Sequence, residues 1–487
     1  MRLTRLPVAL VALAAATACE TDLTGLNVNP NSPTTAPATS LFTNATVGTV
    51  SRFTGNTLSL TSLFAQHVAQ VQYVDEDRGR IRSTTIDGMF SALYVAELED
   101  YTKVIAQSTA PNIVAPAQIM QSWVYQNATD LWGDIPYTEA NKGDITANFK
   151  PKYDTQQSIY TGVLATLTTA SAALLPGVAG YGGADPIYAG DASKWKLFAN
   201  SLRARMAMRV LKNAPAMAAT ELTAAFAAGV IASNADNAKL TWPGDGVFDN
   251  PLSANFSTRD DHRISKTLLD TMNALADPRV QIYAQPTKAD PTKYTGLQNG
   301  LNNVTVTPFF NTTSRLGAIF YPGSTVYGTY GTSAGKKTPS YLMTFAEVSF
   351  LQAEAAERGL GGLSGAAAYY NAGVTASILQ WGGTAAQAAA YLAQPSVAYV
   401  AGAVGLQKIG LQKWIALFTQ STEAWSEWRR TGNPATIAPG PSAYWAYVNR
   451  RLPYSSNEQS VNAANLALAI TSLGGPDDYS TRVWWDK

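Results

Sequence analysis

Apolar residues recur at steps of three and four along most of this chain, the spacing that lays a stripe down one side of a helix. In KWKLFANSLRARMAMRVL, Trp195, Phe198, Leu202, Met206 and Val210 keep that step, and Asp191 or Ser193 stands where an N-cap belongs. The same period runs through QIMQSWVYQNATDLWG, with Ile119, Trp123 and Leu131. It returns in PSYLMTFAEVSFLQAEAAERG, with Phe345, Val348, Leu351 and Ala355, and stops at Gly359, a residue suited to a helix C-terminus. About a dozen segments read this way, and few stretches alternate as strands do. They come in pairs joined by short turns with no near-identical repeat, which permits a degenerate solenoid of stacked helical hairpins. The pattern predicts an all-α chain.

Two segments break the period. Residues 241–262 read TWPGDGVFDNPLSANFSTRDDH, and residues 284–338 are rich in Pro, Gly, Asn, Thr and Tyr. Loops longer than about 15 residues inside a compact chain are functional or disordered. The second segment holds Phe309, Phe310, Arg315, Tyr321, Tyr327 and Tyr330, too aromatic for disorder, so it reads as an ordered excursion from a helical scaffold. No shift in composition marks a linker, and residues 39–487 are read as one helical domain.

The N-terminus adds a membrane context. Arg2 and Arg5 precede an apolar run over Leu6–Ala15, too short to span a bilayer, and the small residues Ala16, Thr17 and Ala18 lead to Cys19. This resembles a bacterial lipobox, departing from it at Ala16, and implies a signal peptide over 1–18 and a lipidated Cys19. Cys19 is the single cysteine of the chain, so a lipidated form has no thiol for a disulfide. Residues 19–38, with Pro30, Pro33 and Pro37, read as an extended tether. The formal charge is +1 with 14% charged residues, and losing Arg2 and Arg5 leaves the mature chain near neutral, without the basic footprint that nucleic acid requires. With 11 Trp and 23 Tyr, the composition suits neutral ligands such as sugars or peptides.

Enzyme signatures are sparse. His67 and His262 are the only histidines and lack metal-ligand spacing, no GxSxG elbow occurs, and Asp75, Glu76 and Asp77 lack EF-hand spacing. We expect no metal and no cofactor. Glu347 and Glu354 lie seven residues apart on one helix face. They are read as acceptors for neighbouring helix ends or Arg residues, the alternative being a general acid and base. Arg429, Arg430 and Gly432 read as a structural helix terminus, Trp132, Asp134 and Pro136 as a packed turn, and the terminal WWDK as a core seal. Sugars stack on aromatic faces and are fixed by amide, carboxylate and guanidinium groups. Two regions offer that set: Gln72, Tyr73, Asp75 and Arg78, and the excursion with Phe309, Asn311, Arg315, Tyr321, Tyr327 and Tyr330.

Nine phrases in order resemble the SusD/RagB family of nutrient-binding outer-membrane lipoproteins. They are LNVNPNSPT, TDLWGDIPYTEA, GDASKWKLFANSLRARMAMRV, DPRV, LMTFAEVSFLQAEAAERG, AYYNAGVTASILQWG, IGLQKWIALFTQSTEAWSEWRRTGNP, RRLPYSSNEQSVNAAN and VWWDK. The resemblance implies tetratricopeptide-like helix pairs in an α-α superhelical scaffold, with inserted loops carrying the ligand site. It also implies a surface-exposed outer-membrane lipoprotein, not an enzyme, sitting over a SusC-like TonB-dependent barrel and delivering a glycan to it. The same role for peptides, a glycan-processing enzyme and a structural envelope subunit stay open as alternatives.

Overall fold

Each predicted stripe becomes a helix because it finds another helix to cover it. The computed structural model describes residues 36–321 and 334–487. In it the helices Glu99–Gln107, Pro111–Trp132, Gln156–Ala173, Ala192–Arg209 and Pro215–Ala227 pack each on the next in chain order. A second series, Phe345–Glu357, Ala366–Gln380 and Ala385–Leu392, does the same, and Ala403–Ala416 packs on both Phe345–Glu357 and Ser421–Thr431. The series meet where Phe345–Glu357 lies on Ala192–Arg209. This is an all-α scaffold of tetratricopeptide-like helix pairs.

Local chemistry sets the boundaries. The Asp191 side chain accepts from the Ser193 and Lys194 amides and opens the 192–209 helix. The 345–357 helix opens on Thr344, whose hydroxyl accepts from Glu347 N, and ends before Gly359, whose φ of +66° an L side chain adopts only with strain.

One expectation changes in scale. The 192–209 pattern predicts a single stripe, yet the helix is buried around most of its circumference, Arg203, Arg205 and Arg209 included. It is wedged between the helices 156–173, 215–227 and 345–357, so no side of it faces water for long. Arginine can occupy such a position only with carboxylate partners.

Non-helical backbone is held by two-stranded antiparallel ribbons. Val68–Gln70 pairs with His262–Ile264, Ile135–Pro136 with Tyr153–Asp154, and Ala238–Leu240 with Ser340–Met343. The first and third of these ribbons tie the ends of segments 241–262 and 284–338 to the scaffold. A main core cluster runs from Phe42 to Trp485. A small satellite cluster of Ala69, Val71, Val74, Leu297, Leu301 and Val306, with Phe310 against it, lies where the two loop regions meet. Among the described residues no helix is long and apolar enough to cross a membrane.

Candidate functional site

The satellite cluster brings together the two regions picked out by residue type. Val71 and Val74 pack against Val306 and Phe310, so the loop bearing Tyr73, Asp75 and Arg78 lies beside the one bearing Phe309 and Asn311. A third loop, residues 438–449, completes the face. Ser442 N donates to Gly300 O (2.8 Å) and Tyr444 N to Arg78 O (2.9 Å), stitching the three loops through their backbones.

Tyr73 is the most exposed aromatic of this face, at 62%, and has a left-handed backbone with φ of +54°. A non-glycine residue in that region is uncommon. The Arg259 guanidinium lies over the ring, 5.1 Å from its centroid. Phe309 is 39% exposed and Asn311 is exposed.

Asp75 and Arg78 organise the third loop. Asp75 accepts from the Tyr444 hydroxyl (2.6 Å), Arg78 donates to that hydroxyl (3.0 Å) and to Ser442 O (2.7 Å). The guanidinium carbons of Arg78 and Arg80 lie 4.0 Å and 3.9 Å from the Tyr444 centroid. One phenol face has no room for two such groups, so they flank the ring. Next to it Trp445 stacks on Tyr479 (5.2 Å, 24°) and on Tyr447 (6.1 Å, 15°). The indole lies on Gly79, where a Cβ would come within 2.7 Å of Nε1 and φ is +103°.

Asp77 locks the loops from beneath, accepting from Asn299 Nδ2 (2.6 Å) and Gly300 N (2.9 Å). Burial pushes its carboxyl up to about 7, against the pull of the Gly300 and Asn299 donors. Folding therefore takes up a proton here between about pH 4 and pH 7; the stability gained is full below that window and lost as pH rises through it. Asp77→Asn is expected to shrink the difference in thermal midpoint between pH 5 and pH 8. An unchanged difference would place the pH dependence in another group.

Other residues singled out from sequence are spent on the interior. Arg315 is buried and paired with Asp260 (2.6 Å), and Tyr321 is buried, stacked on Phe256 at 4.5 Å and 8°. Neither offers a surface to a ligand, because the base of the excursion needs an aromatic anchor to hold it to the core. Tyr327, Tyr330 and Cys19 lie outside the described residues. Tyr444, Trp445, Tyr447 and Tyr479 were missed by residue-type reasoning, although SAYWAY flanked by Pro and Gly carries a visible aromatic signal.

Among the described residues the face is a platform and not a pocket. The crevice under it, lined by Asp77, Asn299, Gly440 and Tyr447 among others, has about 30 Å³, enough for a water or two. Among the described residues the face has no spare acid pair: Glu76 is bound by Arg82 (2.6 Å) and Asp77 is the clamp. The histidines are interior, His67 pushed down to about 3 and His262 to about 4 by burial. Among the described residues no group of three His, Cys, Asp or Glu is placed to hold a metal.

A family model described as starch-binding and associating with the outer membrane, SusD-like, matches residues 30–454. The chain belongs to the SusD-like family. Comparison with curated proteins returned no match. Among solved structures, this SusD-like chain is similar to a chitin-binding protein at 30% identity and a TM-score of 0.81, over 92% of this chain and 100% of that one. It is similar to a chitin-binding SusD homologue from Flavobacterium johnsoniae at 27% identity and a TM-score of 0.78, over 90% and 98%. A SusD homologue from Bacteroides uniformis matches at 27% identity and a TM-score of 0.77, over 92% and 98%.

Proposed function

We propose that this chain is a surface lipoprotein of the outer membrane, anchored through Cys19, which captures a neutral glycan on the Tyr73 face and delivers it to a TonB-dependent barrel. The observation that carries the reading is Tyr73: an exposed ring on a left-handed backbone, beside Phe309 and the Trp445 stack, on a face whose described residues form no deep cavity. Such a face takes a ligand with flat apolar sides and a rim of hydroxyls. Among the described residues the face has no spare carboxylate pair, which favours binding without turnover. The names of two similar structures make chitin oligosaccharides the first ligand to test.

Calorimetric titration with the tetramer of N-acetylglucosamine tests it. Tyr73→Ala and Phe309→Ala are each expected to weaken binding by about 1–2 kcal/mol, the cost of truncating an aromatic contact, with thermal midpoints unchanged because both rings are exposed. Wild-type affinity in both variants would remove this face from the site. Binding of short neutral peptides in place of sugars, with the same dependence on Tyr73, would turn the reading to peptide capture.

A further inference from the structure

A second cavity lies away from that face and shares no residue with it. Its walls are the first turns of the Ala38–Gly55 helix, with Ser40, Thr43, Asn44 and Val47, and the segment carrying Thr241, Trp242, Pro243 and Phe248. It encloses about 570 Å³, within the range of small-ligand pockets and far larger than the crevice under Tyr73.

Its outer wall is Phe248, 49% exposed and next to Val247 at 79%. The turn that carries this ring is held through its backbone. The Asp245 carboxylate accepts from Val247 N (2.9 Å) and Phe248 N (2.8 Å), and those bonds hold its pKa below the usual carboxylate value. Gly244 N donates to Phe248 O (3.1 Å) and Gly246 N to Asp249 Oδ1 (2.9 Å). Asp249 is in turn paired with Lys336 (3.0 Å), which ties the turn to the body. A turn whose backbone is already held loses less conformational freedom when a ligand arrives. Trp242 forms the floor, buried, with Nε1 donating to Ser340 Oγ (2.8 Å).

Facing the rings is a polar wall. Asn44 Nδ2 donates to Asp100, which leaves its Oδ1 as an acceptor, and the Thr43 hydroxyl donates to Ala184 O. Ser40 and Thr241 have no side-chain partner among the described residues. Among the described residues no charged side chain lines the cavity. The occupant is therefore uncharged, apolar on one face and hydroxyl- or amide-bearing on the other.

We propose that this cavity is a second saccharide-binding site, with a sugar ring held between Phe248 and the Ser40, Asn44 and Thr241 side chains. It does not depend on the Tyr73 face. A glycan long enough to touch both sites would gain from the linkage, since the second contact becomes intramolecular.

Titration of the full mature chain with two probes, the tetramers of N-acetylglucosamine and of α-1,4-linked glucose, tests the site. For one of them the wild type should bind with a stoichiometry of two, and Phe248→Ala should weaken one class of site by about tenfold while Tyr73→Ala weakens only the other. Thr241→Trp, which fills the cavity from an exposed position, should abolish the Phe248-dependent class with the fold intact by circular dichroism. A single class of site insensitive to Phe248→Ala and Thr241→Trp overturns the second site and leaves the Tyr73 reading standing. A class lost on Phe248→Ala but unchanged in Tyr73→Ala upholds it even if the Tyr73 face fails. Phe248-dependent binding of an uncharged proline-rich peptide, with neither sugar bound, would overturn it in favour of a protein-docking groove.

Discussion

Glu347→Ala is expected to destabilise the protein by about 3–5 kcal/mol, because it strands a buried guanidinium. Arg205 and Glu347 form a two-pronged pair, Nε to Oε1 and Nη2 to Oε2 both at 2.7 Å, with side chains 1% and 0% exposed. Burial alone would lower the Arg205 pKa, but Glu347, and then Glu423, more than offset it and hold the value above the ordinary one. The pair belongs to a longer chain of charges: Glu423 accepts from Arg209 (2.5 Å), Glu427 accepts from Arg430 (2.7 Å) and is ion-paired with Lys413 (2.9 Å), and Glu354 accepts from Arg430 (2.6 Å). Four helices, 192–209, 345–357, 403–416 and 421–431, are thereby fixed in one register. The double replacement Arg205→Met with Glu347→Leu removes both charges at similar volume and should cost less than either single change. Urea midpoints with matching m-values would measure this. A loss under about 1 kcal/mol for Glu347→Ala, or a double-mutant loss equal to the sum, would show that the pair is not the keystone its burial implies.

Much of this scaffold is legible locally. Trp195, Phe198, Leu202, Met206 and Val210 are all fully buried, as their spacing implies, and the Asp191 cap stands where it was read. The carboxylates Glu347 and Glu354 take Arg partners, the structural role their apolar neighbourhood called for. Which Arg each takes is not written nearby: Arg205 is 142 residues from Glu347, and only helix packing selects it. The candidate face was legible by half. Tyr73, Asp75 and Arg78 lie at the surface together, but their structural partner, Tyr444, is 366 residues from Arg78. Arg315 and Tyr321 have the residue types of a site and the burial of a core, because an aromatic–Arg pair anchors a loop as readily as it binds a sugar. Residue type alone cannot separate these uses, since the difference is exposure.

Trp195→Ala carries the second large effect, about 3–5 kcal/mol, the range for emptying a buried aromatic site. Its ring meets Tyr188 edge-on at 5.3 Å and 86°, with Phe42 at 6.1 Å and Phe198 at 5.9 Å around it. Those neighbours come from three separate segments that cannot collapse together into the void. The indole Nε1 also donates to Asp185 Oδ2 at 2.7 Å. Asp185 is buried and uses its remaining acceptor capacity on Ile187 N (2.9 Å), Tyr188 N (3.1 Å) and Gly190 N (2.9 Å), shaping the turn that leads into the 192–209 helix. Loss of the indole therefore creates a cavity and removes a donor from a buried carboxylate at one stroke. Trp195→Phe separates the two: it keeps most of the ring volume and deletes the donor, and should cost about 1–3 kcal/mol. Denaturant titrations of both variants decide the matter. If Trp195→Phe proves as costly as Trp195→Ala, the hydrogen bond to Asp185 outweighs packing; if it costs nothing, the aromatic cage alone holds this end of the scaffold.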